Sequence, residues 1–365
     1  LPADAIYHVL GLMSGSSLDG MDIVYTEITA GDHYTFKIIE AETFPYSAEI
    51  KNFLSQISPD PKADISDADF RFAVLSAGYL NEFITKHHID HIDFIASHGH
   101  TIFHYPEKNI TCQIGNGKKI AEATGYPTIS NFRQKDLDAG GQGAPLVPLC
   151  DELFFSSYDS CLNIGGIANI SFKKNGVRTG FDICAANQLL NFCAAEAGLA
   201  YDAGGELAEQ GSVDQVLISK LNGRAFFHIN PPKSLDNNRI KTEMIVLFEL
   251  SHLRVEDKLA TATEHIAYQV AAIVKSHLKD EQIPAEKYQM LVTGGGAYNQ
   301  FLINRIEKLS GIHIQLPSTQ VIEFKEALAM CLMGVLRWND QPNFLPSVTG
   351  AAHAVSGGDI YLNKQ

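Results

Sequence analysis

The chain has no C-x-x-C pair, no apolar run long enough to span a bilayer and no excess of basic residues. Each lack excludes something. Its six cysteines, at 112, 150, 161, 184, 193 and 331, are too sparse in 365 residues for a disulfide framework, and their usage fits a reducing, cytoplasmic compartment. A membrane span needs roughly 20 apolar residues, so none is expected. Residues 1–10 have neither a basic n-region nor a long apolar h-region, so no signal peptide is expected. Lysine and arginine number 28 against 42 acidic residues, and the formal net charge of −14 disfavours nucleic acid or an anionic membrane as partner. A phosphorylated ligand is not excluded, because a few local donors hold a phosphate even in an acidic protein.

What remains is an ordinary globular composition, 45% hydrophobic and 19% charged, in a chain long enough for two cores. Strands are expected at 7–12, 21–29, 36–43 and 92–97, the last running into His98-Gly99-His100-Thr101. Apolar residues at helical spacing (Phe70, Ala73, Val74, Ala77, Leu80, Phe83, Ile84) predict an amphipathic helix over 67–87. The order then recurs. Strands are expected at 160–164, 170–173, 177–182 and 290–293, with helices over 261–278 and 299–309, and Asn175-Gly176 marks a hairpin turn. Such a repeat predicts an α/β protein with the duplicated ribonuclease-H-like arrangement of actin, hexokinase and Hsp70-type ATPases: two lobes with mixed five-stranded sheets. The expected lobes are 1–130, with a C-terminal segment from about 340 to 365 packing back on it, and 131–340, which carries the nucleotide site. The active site is expected in the cleft between them.

Five segments carry candidate chemistry. Gly11 to Asp22 is rich in glycine and serine, which bring backbone N–H groups close to an anion, and Asp19 or Asp22 suits a magnesium ion. The same segment also reads as a plain hairpin turn. Asn163-Ile164-Gly165-Gly166-Ile167-Ala168-Asn169 is its counterpart in the second half. Asp182, near a strand end, suits a general base, and it also reads as the cap of a helix beginning near Ala185. Thr293-Gly294-Gly295-Gly296 offers bare backbone to a flat ring such as adenine, or is only a strand-to-helix turn. Arg133, ahead of Asp136, Asp138 and Gly140-Gly141-Gln142-Gly143-Ala144-Pro145, can grip a carboxylate with two N–H groups. His98, His100 and His104 lie close together, 98 and 100 on one face of a strand; hydrogen bonds to sugar hydroxyls suit them better than zinc.

In their order and spacing these segments resemble the anhydro-N-acetylmuramic acid kinase family over nearly the whole chain, together with Pro231-Pro232-Lys233-Ser234 and Glu326-Ala327-Leu328-Ala329. The resemblance implies that ATP, water and 1,6-anhydro-N-acetylmuramic acid give N-acetylmuramic acid 6-phosphate and ADP, a step of cell-wall recycling. It implies Asp182 as the base that activates water, with Glu326 assisting at the sugar. It implies nucleotide contacts from Gly11, Ser14, Gly15, Ser16, Ser17, Asp19, Gly20, Gly165, Gly166, Gly294, Gly295, Gly296 and Asn299, with Mg²⁺ at Asp19. Sugar contacts fall to His98, Thr101, Arg133 and Asn163, Arg133 taking the lactyl carboxylate. A homodimer is implied as well. The chain departs from the family pattern at His100 (Gln there), Asn131 (Asp there) and Asp182-Ile183-Cys184-Ala185-Ala186-Asn187, where the family reads Asp-Thr-Gly-Pro-Gly-Asn. Cys184 and Ala186 replace glycines sterically only if φ is negative. Rival readings are a same-fold kinase with another sugar preference, a silent sugar-binding protein and, more distantly, a metal hydrolase.

Overall fold

The computed structural model describes residues 5–15, 18–231 and 233–363. Ser16, Ser17 and Pro232, all singled out above, lie outside the described residues. The chain divides into two compact units, Leu1–Phe154 with Phe324–Gln365, and Phe155–Glu323. These boundaries differ from 130/131 and 340, because the loop 132–148 stays with the first unit and the second boundary falls inside the Thr319–Trp338 helix.

In the first unit, β1 (Ala5–Ser14), β2 (Gly20–Ala30) and β3 (Thr35–Pro45) form an antiparallel meander. After the Ser66–Lys86 helix, β4 (Phe94–Tyr105) pairs parallel to β1. Three further strands are β5 (Ile110–Ile114), antiparallel to β4, β6 (Thr128–Ser130), parallel to β4, and β11 (Asp359–Tyr361), antiparallel to β6. The second unit repeats the theme: β7 (Ser160–Ile164), β8 (Ile167–Lys174) and β9 (Val177–Ala185) form a meander, and β10 (Met290–Thr293) pairs parallel to β7. Meander first and parallel partner beside the first strand is the ribonuclease-H-like order, present twice. Among the described residues the strand counts are seven and four, not five and five. In the first unit β5 pairs beside the second half of the long β4, and β11 adds an edge strand next to β6. In the second, residues 311–318 carry no strand, and Pro317 within them lacks the N–H a ladder needs.

Each unit buries its own core. In the first, Leu10, Leu12, Met21, Ile23 and Ile95 pack against Phe72, Leu80 and Phe83 of the 66–86 helix. The buried stripe of that helix is rotated from the one expected: Phe72 is buried, while Phe70 and Val74 are 49% and 52% exposed. Such a rotation is invisible to periodicity, because apolar side chains lie on both flanks. In the second unit, Leu162, Ile170 and Val292 meet Leu259, Ile266 and Val270 of the Val255–Asp280 helix.

Two glycines of the first motif turn out to serve packing. Gly11 is buried mid-strand, paired with Val24 and Ala96, and a Cβ there would run into the Ala327 carbonyl and the Cys331 sulfur of the 319–338 helix. Gly20 begins β2, where a Cβ would press on the Phe44 carbonyl and Thr43. Close approach of the 319–338 helix at Gly11 and of β3 at Gly20 accounts for a glycine at each position. Gly11→Ala is therefore expected to cost about 1–3 kcal/mol by overpacking. A thermal melt will show a lowered Tm with an unchanged KM for ATP in the folded fraction. An unchanged Tm with a raised KM would return Gly11 to the nucleotide.

Candidate active site

The first unit gathers its functional side chains around the end of β1. Ser14, the last residue of that strand, is buried, and its hydroxyl lies 2.7 Å from the Tyr46 hydroxyl and 3.0 Å from His100 Nδ1. Burial holds the His100 imidazole neutral and pushes the Tyr46 phenol up, so the chain of three stays uncharged. Gly99 has φ +74°, so β4 does not alternate regularly here, and His98 is sent to different partners. Arg133 donates from Nε (3.1 Å) and Nη2 (2.8 Å) to His98 Nε2, and from Nη1 to the Gly143 carbonyl at 2.9 Å. An Nε2 that accepts twice carries no proton, so His98 is the Nδ1–H tautomer, donating to the Gly99 carbonyl at 3.0 Å. Burial first, then the Arg133 charge, pull its pKa down to about 3. Three of the five Arg133 N–H groups are thus used, and among the described residues two remain.

Glu326 belongs to the same neighbourhood. Its carboxylate is open to solvent, yet protein packs densely around it. That crowding, with the Asp22 charge added, raises its pKa, while Arg133 and Lys325 oppose the rise. The adjacent Lys325 is anchored to Asp151 at 2.6 Å, both side chains buried, which fixes the helix turn that presents Glu326. Asp22 accepts from Thr43 Oγ1 at 2.6 Å. It is thus Asp22, on β2, whose charge is felt at Glu326, whereas Asp19 is exposed on the preceding loop. Gly15 accepts through its carbonyl from the Leu18 N–H. Thr101, half-buried in β4, is 3.5 Å from Gln113 Nε2. A polar recess of about 160 Å³ opens beside His98, lined also by Asp69, Gln113, Asn116, Ser130 and Asn131. Asp136 is buried and ties down the glycine-rich loop, accepting from Gly143 N–H at 2.7 Å and Thr349 Oγ1 at 2.9 Å. Of the three neighbouring histidines, His104 bonds Thr111 at 2.8 Å, and among the described residues the three do not form a metal cluster.

In the second unit Asp182 lies inside β9, three residues before the strand ends at Ala185. It caps no helix: the Asn187–Ala195 helix begins at Ala186 without a side-chain cap. Instead the segment after Pro231-Pro232 returns across β9. Asp182 N–H donates to the Lys233 carbonyl at 3.1 Å, and Asp182 Oδ2 accepts from Leu235 N–H at 2.9 Å and the Ser234 hydroxyl at 3.3 Å. Both bonds fall on one oxygen, and among the described residues Oδ1 has no hydrogen-bond partner. Burial raises the carboxyl pKa, and the Leu235 and Ser234 donors oppose it. Burial also lowers the ammonium pKa of Lys233, which sits 4.5 Å over the Phe226 ring.

Asn163, Gly165, Gly166, Gly294, Gly295 and Gly296 come together at the carboxyl ends of the adjacent parallel strands β7 and β10, where α/β sheets offer ligands their loops. Gly294 has φ +81°, and its missing Cβ leaves room for the Asn163 side chain and the Ile164 carbonyl. Gly296 has the Ile164 side chain against it, so it too serves packing, whereas Gly295 meets nothing nearer than Asn187 Nδ2 at 3.6 Å. The Gly166 carbonyl accepts from Ala186 and Gln188 N–H, and that of Gly165 from Asn187 N–H. Asn299 is buried and its side-chain oxygen accepts from Leu302 N–H, capping the Gln300–Ser310 helix.

The family model described as anhydro-N-acetylmuramic acid kinase matches residues 7–363. The chain belongs to this family. It is 34% identical to the anhydro-N-acetylmuramic acid kinase of Synechococcus elongatus over 388 residues, covering 97% of this chain and 99% of that one. The protein of the same name from Haemophilus influenzae is 34% identical over 387 residues, with 97% of each covered. Among solved structures the chain is similar to the activator of 2-hydroxyisocaproyl-CoA dehydratase from Clostridium difficile with bound ADPNP, at TM-score 0.43 and 16% identity over 89% of this chain and 93% of that one.

Within the anhydro-N-acetylmuramic acid kinase family the departures of this member find local explanations. Ala186 has φ −123° and Cys184 lies within β9, so a Cβ at either place meets no left-handed backbone. His100 supplies the nitrogen that meets Ser14. Asn131 has φ +57°, which asparagine tolerates, and its Nδ2 donates to Asp359 at 2.8 Å. An aspartate at 131 would set two carboxylates against each other. Tyr46 is not singled out by the sequence, and neither Asp136 nor Ser234, though both lie in singled-out segments, receives a role from it. Only the Pro-Pro-Lys-Ser run was visible, and nothing in it points 52 residues back to Asp182.

Proposed function

We propose that the protein is an ATP-dependent kinase that opens the 1,6-anhydro bond of 1,6-anhydro-N-acetylmuramic acid and phosphorylates O6, giving N-acetylmuramic acid 6-phosphate and ADP in cell-wall recycling. The observation that carries this reading is the asymmetric Asp182 carboxylate, with Oδ2 held by Leu235 and Ser234 and Oδ1 left open. A carboxylate of raised pKa with one fixed oxygen is suited to take a proton from water near neutral pH. Hydroxide character delivered to C1 breaks the C1–O6 bond, and O6 then takes the γ-phosphoryl group of ATP. The two uncommitted N–H groups of Arg133 are assigned to the lactyl carboxylate. Glu326, whose carboxyl feels the Arg133 charge, is assigned to the sugar. His98 and Thr101 are assigned to its hydroxyls.

The bare backbone at Gly165 and Gly295 fits a nucleotide, because little protein lies where either would carry a Cβ. Oxygen donors suited to Mg²⁺ are present in Asp19 and in Asp22. When bound, the ion supplies neutralisation of phosphate charge. The reading further places the enzyme in the cytoplasm, in keeping with six cysteines that form no disulfide, and as a homodimer, in keeping with the family resemblance.

A coupled ADP-release assay tests the substrate. ADP should appear with the anhydromuramic sugar and not with free N-acetylmuramic acid. Equal rates on both would remove ring opening from the reaction. The second test is a pH profile. Asp182 acts deprotonated and its pKa is raised, so the acid limb of kcat is expected above the ordinary carboxylate value of about 3.9. Ser234→Ala removes a donor that stabilises the carboxylate, so the limb should move to higher pH. A limb that stays in place, or moves down, contradicts the positioning assigned to Ser234.

A further inference from the structure

The other end of the first sheet carries a cluster that the kinase reading does not use. His8 on β1 stands directly opposite Glu27 on β2. Asp93 immediately precedes β4, and His91 lies two residues before Asp93. Two bonds clamp Asp93 to β1: His8 N–H donates to Asp93 Oδ2 at 2.7 Å, and Asp93 N–H donates to the His8 carbonyl at 2.9 Å. The Tyr25 hydroxyl donates to the His91 carbonyl at 2.7 Å, so the backbone on both sides of the cluster is held. One ring nitrogen from each histidine and one oxygen of Asp93 lie within 4.8 Å of one another. His91 Nε2 is 3.4 Å from Asp93 Oδ1, and His8 Nε2 is 3.6 Å from Glu27 Oε2.

Donors about 2.0–2.2 Å from a tetrahedral ion are about 3.4 Å apart, and His91 Nε2 and Asp93 Oδ1 already have that separation. Ordinary ion pairing explains either pair alone. It does not explain why two imidazoles and the Asp93 carboxylate converge within 4.8 Å of one another, with one carboxylate oxygen locked by a backbone amide and the other directed at a ring nitrogen. Side-chain exposure of 27% to 66% leaves the cluster open to an ion from solvent. We propose that His8, His91 and Asp93, completed by water, form a site for a divalent ion of the zinc class that ties β1 to the start of β4. Imidazole nitrogens with carboxylates suit Zn²⁺, Co²⁺ and Ni²⁺, whereas Mg²⁺ prefers oxygen donors and retains its waters. The site is therefore chemically distinct from any ion that accompanies ATP. His8 is six residues from Ser14 along β1, about 20 Å at 3.3 Å per residue, so the ion acts on stability and not on turnover.

The test uses chelator-treated full-length protein, titrated with Zn²⁺ by calorimetry and with Co²⁺ by visible absorption. One equivalent should bind, with the intense visible bands of four-coordinate Co²⁺, and Zn²⁺ should raise the Tm. His8→Ala and His91→Ala should each weaken binding by about tenfold or more and abolish the Tm rise, with ADP release unchanged. The His91 ring is exposed, so its variant folds even if the His8 variant does not. Failure of the wild type to bind Zn²⁺ at about 0.1 mM, or unaltered binding in His91→Ala, overturns the proposal.

Discussion

Asp182→Asn is expected to lower kcat by about 10²–10⁴-fold, the range that a positioned general base contributes, while leaving sugar binding almost unchanged. The amide keeps the shape of the side chain, and its oxygen can still accept from Leu235 N–H and the Ser234 hydroxyl, so the segment 233–235 should stay docked on β9. What is lost is the ability of the second atom to take a proton. Steady-state kinetics on the anhydro sugar, with calorimetric binding of the same sugar, separate the two effects. Activity within a few-fold of wild type would show that another group deprotonates the water.

Arg133→Ala should produce the second large effect. Charge-assisted hydrogen bonds contribute about 1.5–3 kcal/mol, so loss of the guanidinium should weaken kcat/KM for the muramic sugar by about 10–150-fold. A 1,6-anhydro amino sugar without the lactyl group should lose much less. It will not escape entirely, because His98 Nε2 then loses both of its donors and the Gly143 carbonyl loses one. Arg133→Lys distinguishes the roles. A lysine restores positive charge but not the planar fork that grips His98 from two nitrogens, so it should recover only part of the loss. Equal losses on both sugars would make Arg133 a support for His98 alone.

The ribonuclease-H-like order was legible because the β-meanders are local. Strands 160–164 and 290–293 end where apolar residues give way to glycine, and the structure ends them at the same residues. Less legible was what a glycine is for. Gly11 and Gly294 read alike in a Gly-rich motif, yet one makes room for a helix backbone and the other turns the chain through φ +81°. Only the direction of the absent Cβ tells them apart, and that is a property of tertiary packing. Asp182 could be picked out by its place near a strand end, but not the donors on Oδ2, which come from a loop some fifty residues later. The unit boundary at 323/324 was hidden for a related reason. The Thr319–Trp338 helix is continuous in pattern, and only its contacts, through Ala327 and Cys331 against Gly11, assign its later turns to the first unit.

The central claim is that Asp182 directs water to the anomeric carbon, so that ring opening and phosphorylation belong to one reaction. Turnover of the anhydro sugar with ATP in ¹⁸O-labelled water reads this directly, with mass spectrometry of the phosphorylated product. The account predicts one labelled oxygen at C1 and none in the new phosphate ester. Label in the phosphate, or a product with unlabelled C1 formed faster than the anomeric hydroxyl exchanges, would contradict it.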